Sequence, residues 1–370
     1  MNLKKIIYLV AVLAATALIV SGCTAGGSEA VRIDNIETHF VQFQQTGSVH
    51  WYRNDRTALA EANPESESPP LFIYLHRATS IQGESGSVFF HPLAVEAIET
   101  LFLPVAHDGD SGTGPEILEN LQFEQTAIIM TDHGGNLLTD PVVDDASLEH
   151  VTAAMIDSLS AAGLQIPEYL RIVYGESRGA GEYETAVVTQ HCFWSGEVEL
   201  GVTEGILGTE PGAIEKAEAL RITFDPQTIS YRELLEEAKA LGLLDRAFPM
   251  NEEQYSTANE VLDEKQIAYF NEIKYVPVRN EKHYKFYLGK TTYRYVPMTS
   301  RQSIMVNNAL FFEEDPSHFL SPRQVQMYDY IKGRQNKKWQ SHINDDDFRE
   351  SWENTTDLIA KYSRDKIIIN

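Results

Sequence analysis

Thr185-Ala186-Val187-Val188-Thr189-Gln190-His191-Cys192-Phe193-Trp194-Ser195-Gly196-Glu197 is the stretch on which the reading of this chain turns. Tyr183–Gln190 carries the β-branched and apolar content of a buried strand, and Ser195-Gly196-Glu197 reads as the first turn of a helix. Cys192 therefore stands where a strand hands over to a helix. Backbone N–H groups and the positive end of the helix dipole converge there and favour a thiolate. His191 adjoins the thiol, and Phe193 and Trp194 supply an apolar wall beside it.

Downstream, Ala217–Phe224 alternates, placing Glu218 on one face with Leu220, Ile222 and Phe224. A carboxyl on an apolar strand face is costly when ionised, so burial there predicts an acid that holds its proton. Ser230 and Glu233 form a capping box for the next helix.

These residues resemble the class A peptide methionine sulfoxide reductases, whose hallmark is G-C-F-W followed shortly by a glutamate. Cys192, Phe193, Trp194 and Glu197 match it, with His191 in place of the glycine. Ala217–Pro226 resembles the family's H-A-E-x-V-x-V-x-x-D-P strand, and Ile229–Leu235 its I-S-Y-x-x-L-L helix. Lys274-Tyr275-Val276-Pro277 and His283–Leu288 resemble its aromatic–proline and H-x-x-Y-L segments. The resemblance implies Cys192 as nucleophile and Glu218 as proton donor to a sulfoxide oxygen. It implies Phe193 and Trp194 around the S-methyl group, with Tyr275 as a hydroxyl holding the oxygen. The product on the enzyme would be a Cys192 sulfenic acid. Two features depart from the family. Gly201–Ala213 contains no Tyr, so the hydroxyl of the family's N-P-T-Y segment has no counterpart. No resolving cysteine follows Cys192, which makes an external thiol the reductant; no bound cofactor is expected.

Upstream, Leu71–Leu75 reads as a buried strand, Pro92–Leu101 as a helix and Phe102–Ala106 as a second strand. Ala127–Thr131 and Leu137-Leu138 flank the turn His133–Asn136 as a hairpin, and Ser147–Ala162 is an amphipathic helix. The order resembles a thioredoxin-like domain over residues 36–172. Ala78–Gly83 stands where such a domain carries C-x-x-C, so dithiol exchange is excluded and a scaffold or docking role remains. Glu176–Tyr183 reads as a linker, with a reductase-like domain over residues 178–310. Residues 311–370 read as a helical C-terminal extension, with Ser321 and Pro322 as N-cap and first helical residue. The expected class is α/β (α+β): a thioredoxin-like domain, a ferredoxin-like reductase-type domain and a helical tail.

The N-terminus sets the compartment. Lys4 and Lys5 precede the apolar run Ile6–Val20, and Val20-Ser21-Gly22-Cys23 resembles a bacterial lipobox. The resemblance implies a signal peptide over residues 1–22, lipidation at Cys23 and a tether over residues 23–35. The expected place is the cell envelope, at the periplasmic face of the outer membrane in a Gram-negative host. With Cys23 acylated, Cys192 is the one thiol left of two cysteines. A formal charge of -24 argues against nucleic acid as a partner, and 43% hydrophobic content marks a globular chain. The histidines lack metal-ligand spacing, so no metal site is expected. Gly175-Glu176-Ser177-Arg178-Gly179 spells G-x-S-x-G without a strand–turn–helix around it and is read as linker. The expected partners are oxidised methionine, free or in proteins, a thiol reductant protein and the membrane. Two other readings fit the same residues: a non-catalytic binding lipoprotein, and a thiol-based peroxide reductase.

Overall fold

The computed structural model describes residues 49, 51–52, 69–76, 87–108, 125–178, 182–269, 274–278, 283–343 and 347–364. Cys23, the signal peptide, the tether and Ala78–Gly83 lie outside them. Mixed helices and sheets make the chain α+β, and residues 38–370 cluster as one compact unit.

The first sheet has strand order β2-β1-β3-β4: β1 (Leu71–His76), β2 (Leu103–Asp108), β3 (Ala127–Thr131) and β4 (Val142–Val143). β1 runs parallel to β2 and antiparallel to β3. The parallel pair needs a crossover, which α1 (Pro92–Leu101) supplies. Leu71–Leu75 is buried throughout, as a continuous apolar run between covered faces requires. Trp51, Phe72, Tyr74 and Phe89 pack their rings in this core. The hairpin expected at Thr131 closes through a bridge to Leu137, while β4 pairs with the start of β3.

α2 (Leu148–Ala161) covers this core with Val151, Met155 and Leu159. α3 (Glu168–Ser177) follows. The linker read from Glu176 onward therefore begins inside a helix, whose stripe Tyr169, Leu170 and Val173 is buried in the same core. Short polar gaps around the stripe hid it from the sequence reading. Ser177 lies in the last turn of α3 and donates to the Tyr174 carbonyl, so the G-x-S-x-G letters form no nucleophile elbow.

The second sheet is antiparallel throughout, with order β8-β5-β7-β6-β9. Its strands are β5 (Glu184–Gln190), β6 (Ile206–Ile214), β7 (Ala217–Phe224), β8 (Arg246–Ala247) and β9 (Tyr275–Pro277). Between β5 and β6 a helical turn, α4 (Phe193–Ser195), continues as a wider π-type turn, Gly196–Leu200. α5 (Tyr231–Ala240) starts on the Ser230/Glu233 capping box and buries Leu234, Leu235 and Ala238 on the face of Ala186, Val188, Leu220 and Ile222. α6 (Glu252–Val261) adds Ala258 to that layer.

Three further helices, α7 (Ser300–Phe311), α8 (Pro322–Lys332) and α9 (Phe348–Arg364), join the two sheets. The joints are carboxylates at helix N-termini, where unpaired N–H groups need acceptors. Glu96 of α1 is fully buried and accepts from the Ser321 hydroxyl at 2.5 Å and the Arg323 N–H at 2.7 Å, at the head of α8. Glu176 of α3 accepts from the Arg301 N–H at 2.7 Å, at the head of α7. Phe348 and Trp352 of α9 pack on the core of the first sheet.

Burial pushes the Glu176 carboxyl up to about 7, against Thr299 and Arg301, which pull it down. A raised acid contributes stability in full below its ordinary value of 4.5 and loses it as pH rises through about 7. Wild-type melting temperature is therefore expected to fall between those pH values relative to Glu176→Gln. Matched thermal melts across that range check it; parallel curves would contradict it.

Candidate active site around Cys192

The site is assembled at one end of the second sheet. Cross-strand register sets Gln190 of β5 opposite Glu218 of β7, beyond the apolar pairs Val188–Leu220 and Ala186–Ile222. Cys192 is two residues past Gln190, half-buried and at the N-cap of α4. The Phe193 N–H, first in the helical turn, donates to a Glu218 carboxylate oxygen at 2.8 Å. That bond fixes the carboxylate beside the residue that follows the thiol and satisfies one orphan donor of the helix start.

Glu218 is exposed. The burial expected from its apolar face does not occur, because it is the second residue of β7 and lies past the last apolar pair of the sheet. Its nearness to Cys192 comes from register instead.

Trp194 anchors its indole N–H on the His283 carbonyl at 2.9 Å and stacks on Phe286 with centroids 4.1 Å apart. Phe193 meets Trp194 edge-on at 5.9 Å and is buried. The segment 283–288 thus forms the second wall of the site. Tyr287 in that segment titrates above its usual range, through burial and then through the charge of Cys192. Its phenol therefore lies within electrostatic reach of the thiol.

Tyr275 is placed elsewhere. It pairs with Ile214, which pairs with Ala217, so Tyr275 shares the sheet face of Ala219 and Val187, opposite to that of Glu218. Its ring covers Gly212, where any Cβ would collide with it, and its hydroxyl donates to the Glu210 carbonyl at 2.7 Å. The hydroxyl expected to hold substrate oxygen is instead used on the open edge of β6. There Tyr284 also donates, to the Thr209 carbonyl at 3.1 Å.

The wall is clamped by a buried ion pair that the sequence reading did not anticipate. Glu197 and Lys285 meet at 3.0 Å and are almost completely buried. Lys285 Nζ also donates to the Thr209 carbonyl and hydroxyl, and the Lys285 N–H reaches Glu197 at 3.1 Å. Burial works against the Lys285 charge, but the attraction of Glu197 outweighs it and holds the ammonium protonated above its ordinary range. Gln190 is a second unforeseen neighbour. It is buried on the face of Glu218, and a side chain at Gly196 would collide with its carboxamide. Neither amide atom has a hydrogen-bond partner among the described residues. No group of three or more His, Cys, Asp or Glu residues there could hold a metal.

No family model matches this chain. Peptide methionine sulfoxide reductase MsrA of Deinococcus radiodurans is 30% identical to it, in a match covering 24% of this chain and 59% of that protein. The chain thus spans under two thirds of that relative, and the match supports a distant relationship over part of its length.

Removing one partner of the clamp strands the other without a counter-charge. Lys285→Met is expected to cost about 3–5 kcal/mol of stability, and Glu197→Leu/Lys285→Met to recover most of it. Urea unfolding of the three proteins checks this; a single variant as stable as wild type would contradict it.

Proposed function

We propose that this protein is a methionine sulfoxide reductase-like enzyme of the cell envelope, held there by lipid on Cys23. The observation that carries the reading is the Glu218 carboxyl bonded to the N–H of Phe193, the residue after Cys192, with the stacked pair Trp194 and Phe286 following in the same turn and wall. The distant match to MsrA supports the same chemistry.

Sulfoxide oxygen leaves poorly unless protonated. Cys192 thiolate attacks the sulfoxide sulfur, forming an S–S bond, while Glu218 relays a proton from solvent to the oxygen. The hydroxyl then shifts from the substrate sulfur to the Cys192 sulfur as the S–O and S–S bonds to the substrate break, which releases methionine and leaves a Cys192 sulfenic acid. Sulfur of the substrate is reduced by two electrons and sulfur of the cysteine oxidised by two. Two external thiols then return Cys192 to the thiol, releasing water and a disulfide. Exposure of Glu218 lets it recover its proton from solvent. Tyr287, in the wall segment, is the hydroxyl we assign to the substrate oxygen in place of Tyr275.

The first half fits a scaffold or docking role. Its β2-β1-β3-β4 order, with one parallel pair joined through α1, supports the thioredoxin-like reading. The chain brings no second thiol to it.

The chain from Thr24 onward, given methionine sulfoxide and dithiothreitol, is expected to form methionine, and Cys192→Ser to abolish this. Glu218→Gln is expected to lower kcat by about a hundredfold to ten-thousandfold. Tyr275→Phe is expected to cost about 1 kcal/mol of stability and to leave turnover intact. Absence of cysteine-dependent turnover of either sulfoxide epimer would sink the reading in favour of a binding lipoprotein. A response to peroxide alone would make it a peroxide reductase.

A further inference from the structure

The wall of the site does not end at Phe286. From Trp194 the rings continue in contact: Phe286 to Tyr287 at 5.2 Å and edge-on, Tyr287 to Phe311 at 4.9 Å, and Phe311 to Phe312 at 4.8 Å. This row begins two residues from Cys192 and ends at Phe312, the C-cap of α7. Phe312 is 41% accessible and, among the described Phe, Tyr and Trp side chains, is the one that is exposed. Phe311 and Tyr287 are half-buried, so the row opens toward solvent as it leaves the thiol.

The row is held rigidly. Asn307 accepts from the Tyr287 and Leu288 N–H groups, both at 3.1 Å, and Asn308 donates to the Val198 carbonyl at 2.7 Å. Arg301, at the other end of α7, donates to the Gly201, Val202 and Ile206 carbonyls. One helix thereby fixes the last two rings relative to the turn that carries Cys192. Single exposed apolar side chains are ordinary on protein surfaces. A preorganised row continuous with a reactive thiol is a docking surface, because little ordering entropy remains to be lost on binding.

Charge selects what docks. Glu313, Glu314 and Asp315 follow Phe312 directly and are all exposed. They stand at a helix C-terminus, where the dipole disfavours acids. Glu313 also adopts φ 61°, a left-handed conformation usually given to glycine. Asp315 caps the helical turn Pro316–Phe319 through the Ser317 N–H, whereas helix-end chemistry does not account for Glu313 and Glu314. An acid group beyond an apolar row fits a segment that presents an apolar residue and then a cation.

We propose that this site selects among polypeptide substrates for a methionine sulfoxide flanked by an apolar residue that seats on Phe311 and Phe312 and by a Lys or Arg that meets Glu313 and Glu314. This inference rests on the reductase reading and narrows its substrate.

The test uses acetylated peptides with one methionine sulfoxide flanked on either side by Leu-Lys, Leu-Glu or Gly-Gly, beside free methionine sulfoxide. The expected kcat/KM for the better-placed Leu-Lys peptide exceeds that for Gly-Gly by roughly fivefold to tenfold, the scale of covering half of an aromatic side chain. Phe312→Ser should reduce that ratio to about twofold or less. Glu313→Gln/Glu314→Gln, and separately about 0.5 M salt, should erase the advantage of Lys over Glu. Turnover of free sulfoxide with equal kcat/KM for all peptides overturns the docking surface and leaves the reductase reading standing. No turnover of any sulfoxide removes both. The wild-type series decides the matter even if the Phe312 variant does not fold.

Discussion

The buried pair between Glu197 and Lys285 is the constraint on which the site depends. It crosses from the turn that follows Cys192 to the segment that carries Phe286 and Tyr287. It adds a buried charge pair to the hydrogen bonds of Tyr284 and Trp194 that hold that segment over the open edge of β6. Burying two charges is expensive, and their attraction offsets the cost only when further hydrogen bonds complete both groups. Here Thr209 completes the ammonium and the Lys285 N–H completes the carboxylate. Lys285 even accepts a positive φ of 44° to make these contacts. The pair therefore specifies one arrangement of wall and thiol instead of merely adding stability.

The same device, a carboxylate at a place where backbone N–H groups lack partners, recurs at three scales. Glu218 uses it to sit beside the nucleophile. Glu176 and Glu96 use it to dock helices of the second half onto helices of the first. In the last two the carboxylate and the helix start come from distant parts of the chain, so each bond closes a long loop. Protonation state then bears on assembly as well as chemistry, most directly at Glu176, whose carboxyl is raised toward neutrality.

Local features of this architecture were legible in the residues because short-range rules govern them. The Ser230/Glu233 and Ser321 caps, the run Leu71–Leu75 and the alternation of Ala217–Phe224 form the elements expected of them. What failed depended on where a strand ends and which way its neighbour faces. Alternation put Glu218 on the correct face but could not show that the core stops at Leu220. Tyr275 was the wrong tyrosine because face assignment on β9 follows from its pairing with Ile214, which no local pattern encodes. Tyr287 lay in a segment already singled out, yet the placing of that segment beside the turn after Cys192 depends on Lys285 reaching Glu197 across 88 residues. Gln190 did leave a local trace: it continues the face of Ala186 and Val188 as a polar residue where an apolar one would pack.

Phe348 and Trp352 pack on the margin of the first sheet's core although they lie far beyond it in sequence. That placement has a kinetic side. α1, α2 and α3 cover the centre of that core early, but its margin stays open until residues 348–352 have emerged. Closing so long a loop is slow relative to forming hairpins such as β6–β7. The second sheet, whose main strands are near neighbours in sequence, is then the half expected to form first, against the order of synthesis. A chain built this way remains open to holding factors for longer than one whose first half folds alone.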